Sequence, residues 1–228
     1  MILTSHADLT DKKDRTGVWL STFTDAYYAF IEAGFEVTVA SPHGGRPPID
    51  PLSEHNDYIT DEVKTYRDDF MAQMEIGNTW SLEEVGATTF DALYVAGGHG
   101  ALWDLADNPQ LGKLLYENLL NETPVALVDH GVAAMLSLAR LRPAVLNGLR
   151  VTGFTDTEEA LLKRHAYLPF RLKDRLRDAG AEFRQAIIPF TPHVETDGIF
   201  ITGQNPASAA MAARALVERM EVEQLCYG

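Results

Sequence analysis

Asp129 and His130 stand side by side between an apolar run and a helical pattern, in the stretch PVALVDHGVAAML (124–136), with only Asp-His-Gly linking the two. A strand that turns into a helix this abruptly forces one residue into a strained backbone conformation and lifts its side chain above the sheet. Asp tolerates left-handed geometry better than most non-glycine residues. The helix N-terminus behind it favours a carboxylate. The plainer reading of Asp129 is a helix N-cap. Two other turns carry polar residues of interest. Gly97-Gly98-His99-Gly100 follows an apolar strand. The amides of Gly98 and Gly100 could meet developing negative charge there, or the segment could be a simple tight turn. His99 could bind a ligand or serve as a hydrogen-bonded structural histidine. Gly153-Phe154-Thr155-Asp156 leads into Glu158 and Glu159. Acids in a first helical turn are often structural, but one that reached His130 would orient the imidazole and set its tautomer.

The elements that must hold these turns alternate along the chain. Residues 35–42, 91–98, 124–131, 149–154, 181–187 and 198–205 read as strands, and several are almost continuously apolar, as strands buried on both faces of a parallel sheet are. Residues 18–34, 108–122, 132–139, 168–180 and 206–220 carry helical periodicity, with Gly34 and Gly180 as stops. Repeated strand-then-helix order predicts an α/β fold, a doubly wound, mostly parallel sheet sandwiched by helices. Ligands of such sheets bind beyond the C-terminal strand ends, where all three turns fall. Residues 43–90 break the pattern and read as a cap or insertion over the site within one domain spanning 1–228.

A net charge of −14 argues against a nucleic-acid partner, which needs clustered Lys and Arg. No apolar run approaches the roughly 20 residues that cross a bilayer, so no membrane partner is expected. The first residues carry Asp, Lys and Arg where a signal peptide has its apolar stretch, so a cytoplasmic location is expected. The single cysteine, Cys226, lies in a tail without catalytic context and reads as inert.

In order, GGHG, VDHG, TGFTDTEE and DGIFITGQNPASA resemble the DJ-1/PfpI (ThiJ) superfamily of the class I glutamine amidotransferase-like fold, closest to its heat-shock chaperone and glyoxalase III branch. The resemblance runs from DRTGVWLST to ITGQNPASAAMAARALVE. It implies a flavodoxin-like core, a homodimer, and a site with a cysteine at the elbow followed by His. Here Asp129 stands at the cysteine position and His130 follows. It also implies a triad acid after TGF, which Glu159 matches best, with Glu158 as the alternative. A glutamate on the first helix, six residues past the threonine of TGV, is replaced by Thr22. A glutamate against Asp129 would crowd two carboxylates. Thr22 removes that repulsion and can donate a hydrogen bond to Asp129, with Asp25, about one turn on, as another acid.

Without an elbow thiol, the cysteine-dependent glyoxalase and protease chemistries are not expected. The reading is a small-molecule enzyme using Asp129 and His130 for acid–base or nucleophilic work, as a hydrolase, hydratase, isomerase or lyase on a small carbonyl compound. The alternative is a catalytically inactive homologue acting as a chaperone-like or ligand-binding protein. Trp19, Tyr27, Trp103 and Phe190 are candidates to line an apolar pocket, Trp19 and Trp103 foremost. His43, His55 and Glu62 have no metal-site spacing, so no metal and no cofactor is expected.

Overall fold

In the computed structural model, which describes residues 1–10, 14–86 and 88–227, with side chains of the last helix through Val222, the described residues form eight strands and ten α-helices. The side chain of Cys226 lies outside the described residues. The strands are β1 (Ala40–Ser41), β2 (Trp80–Ser81), β3 (Leu93–Val95), β4 (Val125–Val128), β5 (Arg150–Val151), β6 (Glu182–Phe183), β7 (Val194–Asp197) and β8 (Phe200–Gly203). The helices are α1 (Leu20–Glu32), α2 (Asp61–Asp68), α3 (Phe70–Gly77), α4 (Leu82–Val85), α5 (Ala101–Asp104), α6 (Pro109–Leu120), α7 (Ala134–Leu141), α8 (Asp156–Leu162), α9 (Leu172–Asp178) and α10 (Ala209–Tyr227).

β3, β4 and β8 pair in parallel, and β7 closes one edge antiparallel to β8. Ile2 bridges in parallel to both Ala40 and Val95, which joins the β1–β2 pair to the other edge. The unbroken apolar character of β4 has a simple cause. Val125 and Leu127 enter one core with Leu111, Leu115 and Met135, whereas Ala126 and Val128 enter the other with Phe23, Ala213 and Leu216. Strand side chains alternate between faces. With helices on both faces, every position is buried, and each large side chain so covered contributes about 2 kcal/mol.

Three departures from the sequence reading are physical. The run at 35–42 narrows to Ala40–Ser41. β5 and β6 pair with each other in a separate two-stranded sheet, tied to the main one by Arg150 N donating to Asp197 Oδ2 (3.0 Å) and Thr152 N to Thr202 Oγ1 (3.0 Å). β7 has no apolar signal because it is a half-exposed edge strand. Within residues 43–90, β2 extends the sheet edge, and Tyr66 and Ala72 of α2 and α3 join the core that Phe23 and Phe30 of α1 build. Residues 57–60 turn towards the cavity described next.

Candidate active site

Asp129 holds the left-handed conformation (φ 59°) directly after β4, and a tight 3-10 turn over Asp129–Ala133 passes into α7. Left-handed backbone costs a non-glycine residue about 1–2 kcal/mol, and the surrounding packing must impose it. Two glycines do this. A Cβ on Gly131 would lie 2.5 Å from Ala96 O, so only glycine lets the turn press against β3. A Cβ on Gly97 would lie 2.2 Å from Asp129 Oδ2, so the carboxylate occupies the space that glycine leaves. Gly98 N donates to Oδ2 at 2.6 Å. His130 Nδ1 is 3.1 Å from both carboxylate oxygens but is aligned for a hydrogen bond only with Oδ2. Oδ1 is buried and accepts no hydrogen bond from the described residues.

From Asp129 a chain of buried polar groups runs back into the protein. His130 Nε2 meets Glu159 Oε1 at 2.6 Å, and Glu159 Oε2 meets His99 Nε2 at 3.0 Å. Arg164 donates to His99 Nδ1 at 3.2 Å and clamps Asp50 through two bonds of 2.5 and 3.1 Å, with Thr16 Oγ1 also donating to Asp50. A guanidinium only donates, so His99 Nδ1 accepts and its proton resides on Nε2, facing Glu159. His130 has a carboxylate at each nitrogen, and so both nitrogens carry protons. Burial alone would depress its pKa, but the charges of Asp129 and Glu159 outweigh burial and raise it to about 10. Glu159 feels the reverse. Burial pushes it up, yet His130 and His99 hold it well below the usual carboxylate range. Burial and the neighbouring His130 charge keep His99 below the ordinary imidazole value.

Above Asp129 opens a cavity of about 570 Å³. Its floor is Asp129, His130 and His99; its walls include Trp19, Asp25, Tyr58, Phe154, Leu162, Phe190 and Asn205. Asp25 Oδ1 accepts from Thr60 Oγ1 (2.7 Å) and Thr24 Oγ1 (3.2 Å), and burial still pushes its pKa up to about 6. The floor residues follow β3 and β4, Phe154 follows β5 and Asn205 follows β8. All come from C-terminal strand ends, as the fold rule demands.

The structure thus brings together Asp129, His130, Glu159, His99, Trp19, Asp25 and Phe190. It places other candidates elsewhere. Thr22 Oγ1 donates to Trp19 O (2.7 Å) and accepts from Gly97 N (2.9 Å), so it does not bond Asp129 as expected; it braces the loop on which Asp129 rests. Gly98 has its amide engaged by Asp129 rather than open to an oxyanion. Gly100 caps α5 against His6 and Thr4, outside the cavity lining. Trp103 stacks on the His6 ring at 4.8 Å, and Tyr27 packs on Phe23 at 5.2 Å; neither lines the cavity. Both follow helical packing, the commoner fate of aromatics at such spacing.

Glu158 and Glu159 part company completely. Glu158 accepts from Thr155, Phe190, Gln204 and Asn205 and does not touch a histidine. The sequence reading missed Gln204 and Asn205, although two amides directly after an apolar strand were a usable signal. It also missed Asp50 with Arg164, 114 positions apart, for which no local pattern exists. Among the described residues, His99, His130 and Glu159 are the group whose ligand atoms gather closely enough for a metal, within 4.8 Å. Their facing nitrogens carry the protons that bond Glu159, so metal binding would require losing both. His43, His55 and Glu62 are not gathered.

A wound α/β sheet with a strained polar residue at the strand-to-helix elbow, a histidine beside it and an acid behind defines a class I glutamine amidotransferase-like protein. Comparison narrows this further. Residues 16–219 match the DJ-1/PfpI family, and the chain belongs to it. It is similar to the glutathione-independent glyoxalase HSP31 of Saccharomyces cerevisiae, 27% identical with 97% of each chain covered. It is 30% identical to glutamine amidotransferase-like class 1 domain-containing protein 1 of Bos taurus, covering 83% of each. Among solved structures, the Rapid Encystment Protein 24 KDa of Francisella tularensis superposes with a TM-score of 0.90 at 30% identity, covering 96% of this chain and 97% of the other.

Proposed function

We propose that this protein is a small-molecule enzyme in which Asp129 moves a proton on a small carbonyl compound, giving hydratase, isomerase, lyase or hydrolase chemistry without a thiol. One observation carries the reading: Asp129 lines the cavity, and its buried Oδ1 accepts no hydrogen bond among the described residues. A buried acceptor left empty costs about 1–3 kcal/mol, and a ligand that donates to it recovers this. The relatives named as glyoxalases support a small carbonyl substrate.

The charges suit such a step. Asp129 takes a proton from the substrate, and the negative charge passes to the substrate oxygen. The imidazolium of His130, its N–H groups still on Asp129 and Glu159, has then lost one anionic neighbour, and its positive charge beside the site favours the new oxyanion. With Asp129 and Glu159 both ionised, the pKa of His130 is raised to about 10, so it enters the step protonated. Glu159, bonded to both His130 and His99, holds the ring in place. Returning the proton to a different carbon or oxygen completes an isomerisation; delivering it to a β-hydroxyl as the enolate expels that group breaks the C–O bond and completes an elimination of water. With Asp129 at the elbow, a thiohemiacetal route is absent from this proposal.

The test is a panel of small carbonyl, amide and lactone compounds, methylglyoxal included, run with wild type, Asp129→Asn and His130→Ala. A substrate in the panel should turn over, and Asp129→Asn should lower the rate by about 100-fold or more. Robust methylglyoxal turnover that survives Asp129→Asn would overturn the mechanism. Equal inertness of all three proteins would favour the second reading, a ligand-binding protein without turnover. That reading draws on Gly98 N and both His130 nitrogens being engaged within the protein.

A further inference from the structure

The cavity has a sign. Three acids line it, Asp25, Asp57 and Asp129, and among the described residues no Lys or Arg does. The one lining cation, His130, points both N–H groups at carboxylates of the protein. Beside aliphatic residues such as Ile59, Leu161 and Leu162, the apolar walls hold two aromatic pairs. Trp19 and Tyr58 meet edge-on at 5.0 Å, and Phe154 and Phe190 lie 6.2 Å apart at 55°. Carboxylates among aromatic faces make a poor host for an anion and a good one for an organic cation, which ring faces also attract.

We infer that the ligand of this cavity is a small compound bearing an ammonium group and no carboxylate, held by Asp25 on the wall with a donor directed to Asp129 Oδ1. This rests on the cavity being the substrate site, and names the class of carbonyl compound it takes: an amino ketone or an amine-bearing amide, not a keto acid. Two observations support it independently. Asp129 is 1% exposed, and its Oδ1, 3.1 Å from His130 Nδ1 but not aligned with it, accepts no hydrogen bond among the described residues, which leaves it open to a donor group of the ligand. Asp25 is buried with only two hydroxyls on Oδ1, no cation among the described residues is bonded to it, and burial, with the nearby Glu62 charge adding to it, lifts its pKa to about 6. An arriving ammonium would supply the missing charge. The chain's net charge of −14 also draws cations and repels acids at long range.

The experiment uses three molecules of one shape, benzylammonium, benzyl alcohol and benzoate, titrated into the full-length protein at neutral pH and constant ionic strength, with calorimetry as readout. Benzylammonium should bind at least tenfold more tightly than benzyl alcohol, with benzoate weakest. Asp25→Asn should bring benzylammonium down to the level of the alcohol. Benzoate binding as well as benzylammonium would overturn the inference, as would an amine-to-alcohol ratio unchanged by Asp25→Asn, or no binding of any of the three. The readout is binding, so a protein that prefers the amine yet turns nothing over refutes only the catalytic proposal.

Discussion

Two buried carboxylates, Glu158 and Asp129, meet the same physical demand in opposite ways. Glu158 Oε1 accepts from Phe190 N, Gln204 Nε2 and Asn205 Nδ2 at 2.8–2.9 Å, and Oε2 accepts from Thr155 N and Oγ1. Every oxygen is satisfied, and the bonds tie α8 to the ends of β8 and to the loop bearing Phe190. Asp129 has both its bonds on Oδ2 and none on Oδ1. A saturated buried acid organises structure. One with an empty oxygen on a cavity floor is equipped to meet a ligand, and the strained φ beneath it shows that the fold tolerates a cost to keep it there.

The largest expected effect tests that difference directly. Glu158→Ala removes the acceptor of five donor groups, of which Asn205 Nδ2 alone keeps another in Thr191 O among the described residues, and should lower unfolding free energy by about 4 kcal/mol in a urea titration. Asp129→Asn keeps its shape but takes away one of the two charges that hold the His130 imidazolium, and should cost about 2 kcal/mol, half the loss at Glu158, while abolishing turnover or ligand binding. Equal stability losses would mean that Asp129 is as structural as Glu158.

Glu159→Gln should come next, at about 2 kcal/mol near pH 6. The sign depends on pH. His130 has its folded pKa raised from 6.5 to about 10, so its contribution is complete below pH 6.5 and disappears as pH rises through 10. Glu159 has its pKa lowered from 4.5, so its contribution is present above that value and fades in acid. The variant's deficit should therefore peak between about pH 5 and 7 and shrink towards pH 10. A deficit flat across that range would show that the imidazolium is not held by Glu159.

Asp25→Asn should act in the other direction. Its folded pKa is raised from 3.8 to about 6, so ionisation costs the folded state nothing below pH 3.8 and its full penalty above pH 6. The variant should be more stable than wild type by about 1–2 kcal/mol at pH 8 and equal to it near pH 3.5, by thermal or urea denaturation. A destabilised variant at pH 8 would show that Asp25 is structural in the manner of Glu158. Smallest is Thr22→Val, which removes the brace on Gly97 and should cost about 1 kcal/mol. It should also shift the His130 ring resonances slightly, because the loop supporting Asp129 loosens; unchanged spectra would sever Thr22 from the site.

The elbow was legible because it is local: an apolar run, Asp-His-Gly and a helix lie within 13 consecutive residues, and the turn chemistry follows from their order. Family resemblance then pointed to Glu159. The errors share a cause. Thr22 was assigned a partner by counting along a chain, but its hydroxyl found the nearer Gly97 amide. Trp103 is a candidate pocket aromatic in the sequence, yet it sits on α5, and the helical turn carries its ring to His6 instead. Gly98 offered an amide to a ligand in the sequence reading, whereas its neighbour in space is Asp129.

By itself the sequence determined the wound sheet, the elbow and the absence of a thiol from it, since each is written in residue type and order over short spans. Only the tertiary structure decided which glutamate faces His130, that Arg164 and Asp50 anchor His99, and that Asp25 shares a cavity with Asp129. Those relations join residues from α1, the turns after β3 and β4, and both ends of α8. Distances of 2.5–3.2 Å between them arise only when the sheet brings its strand ends to one side.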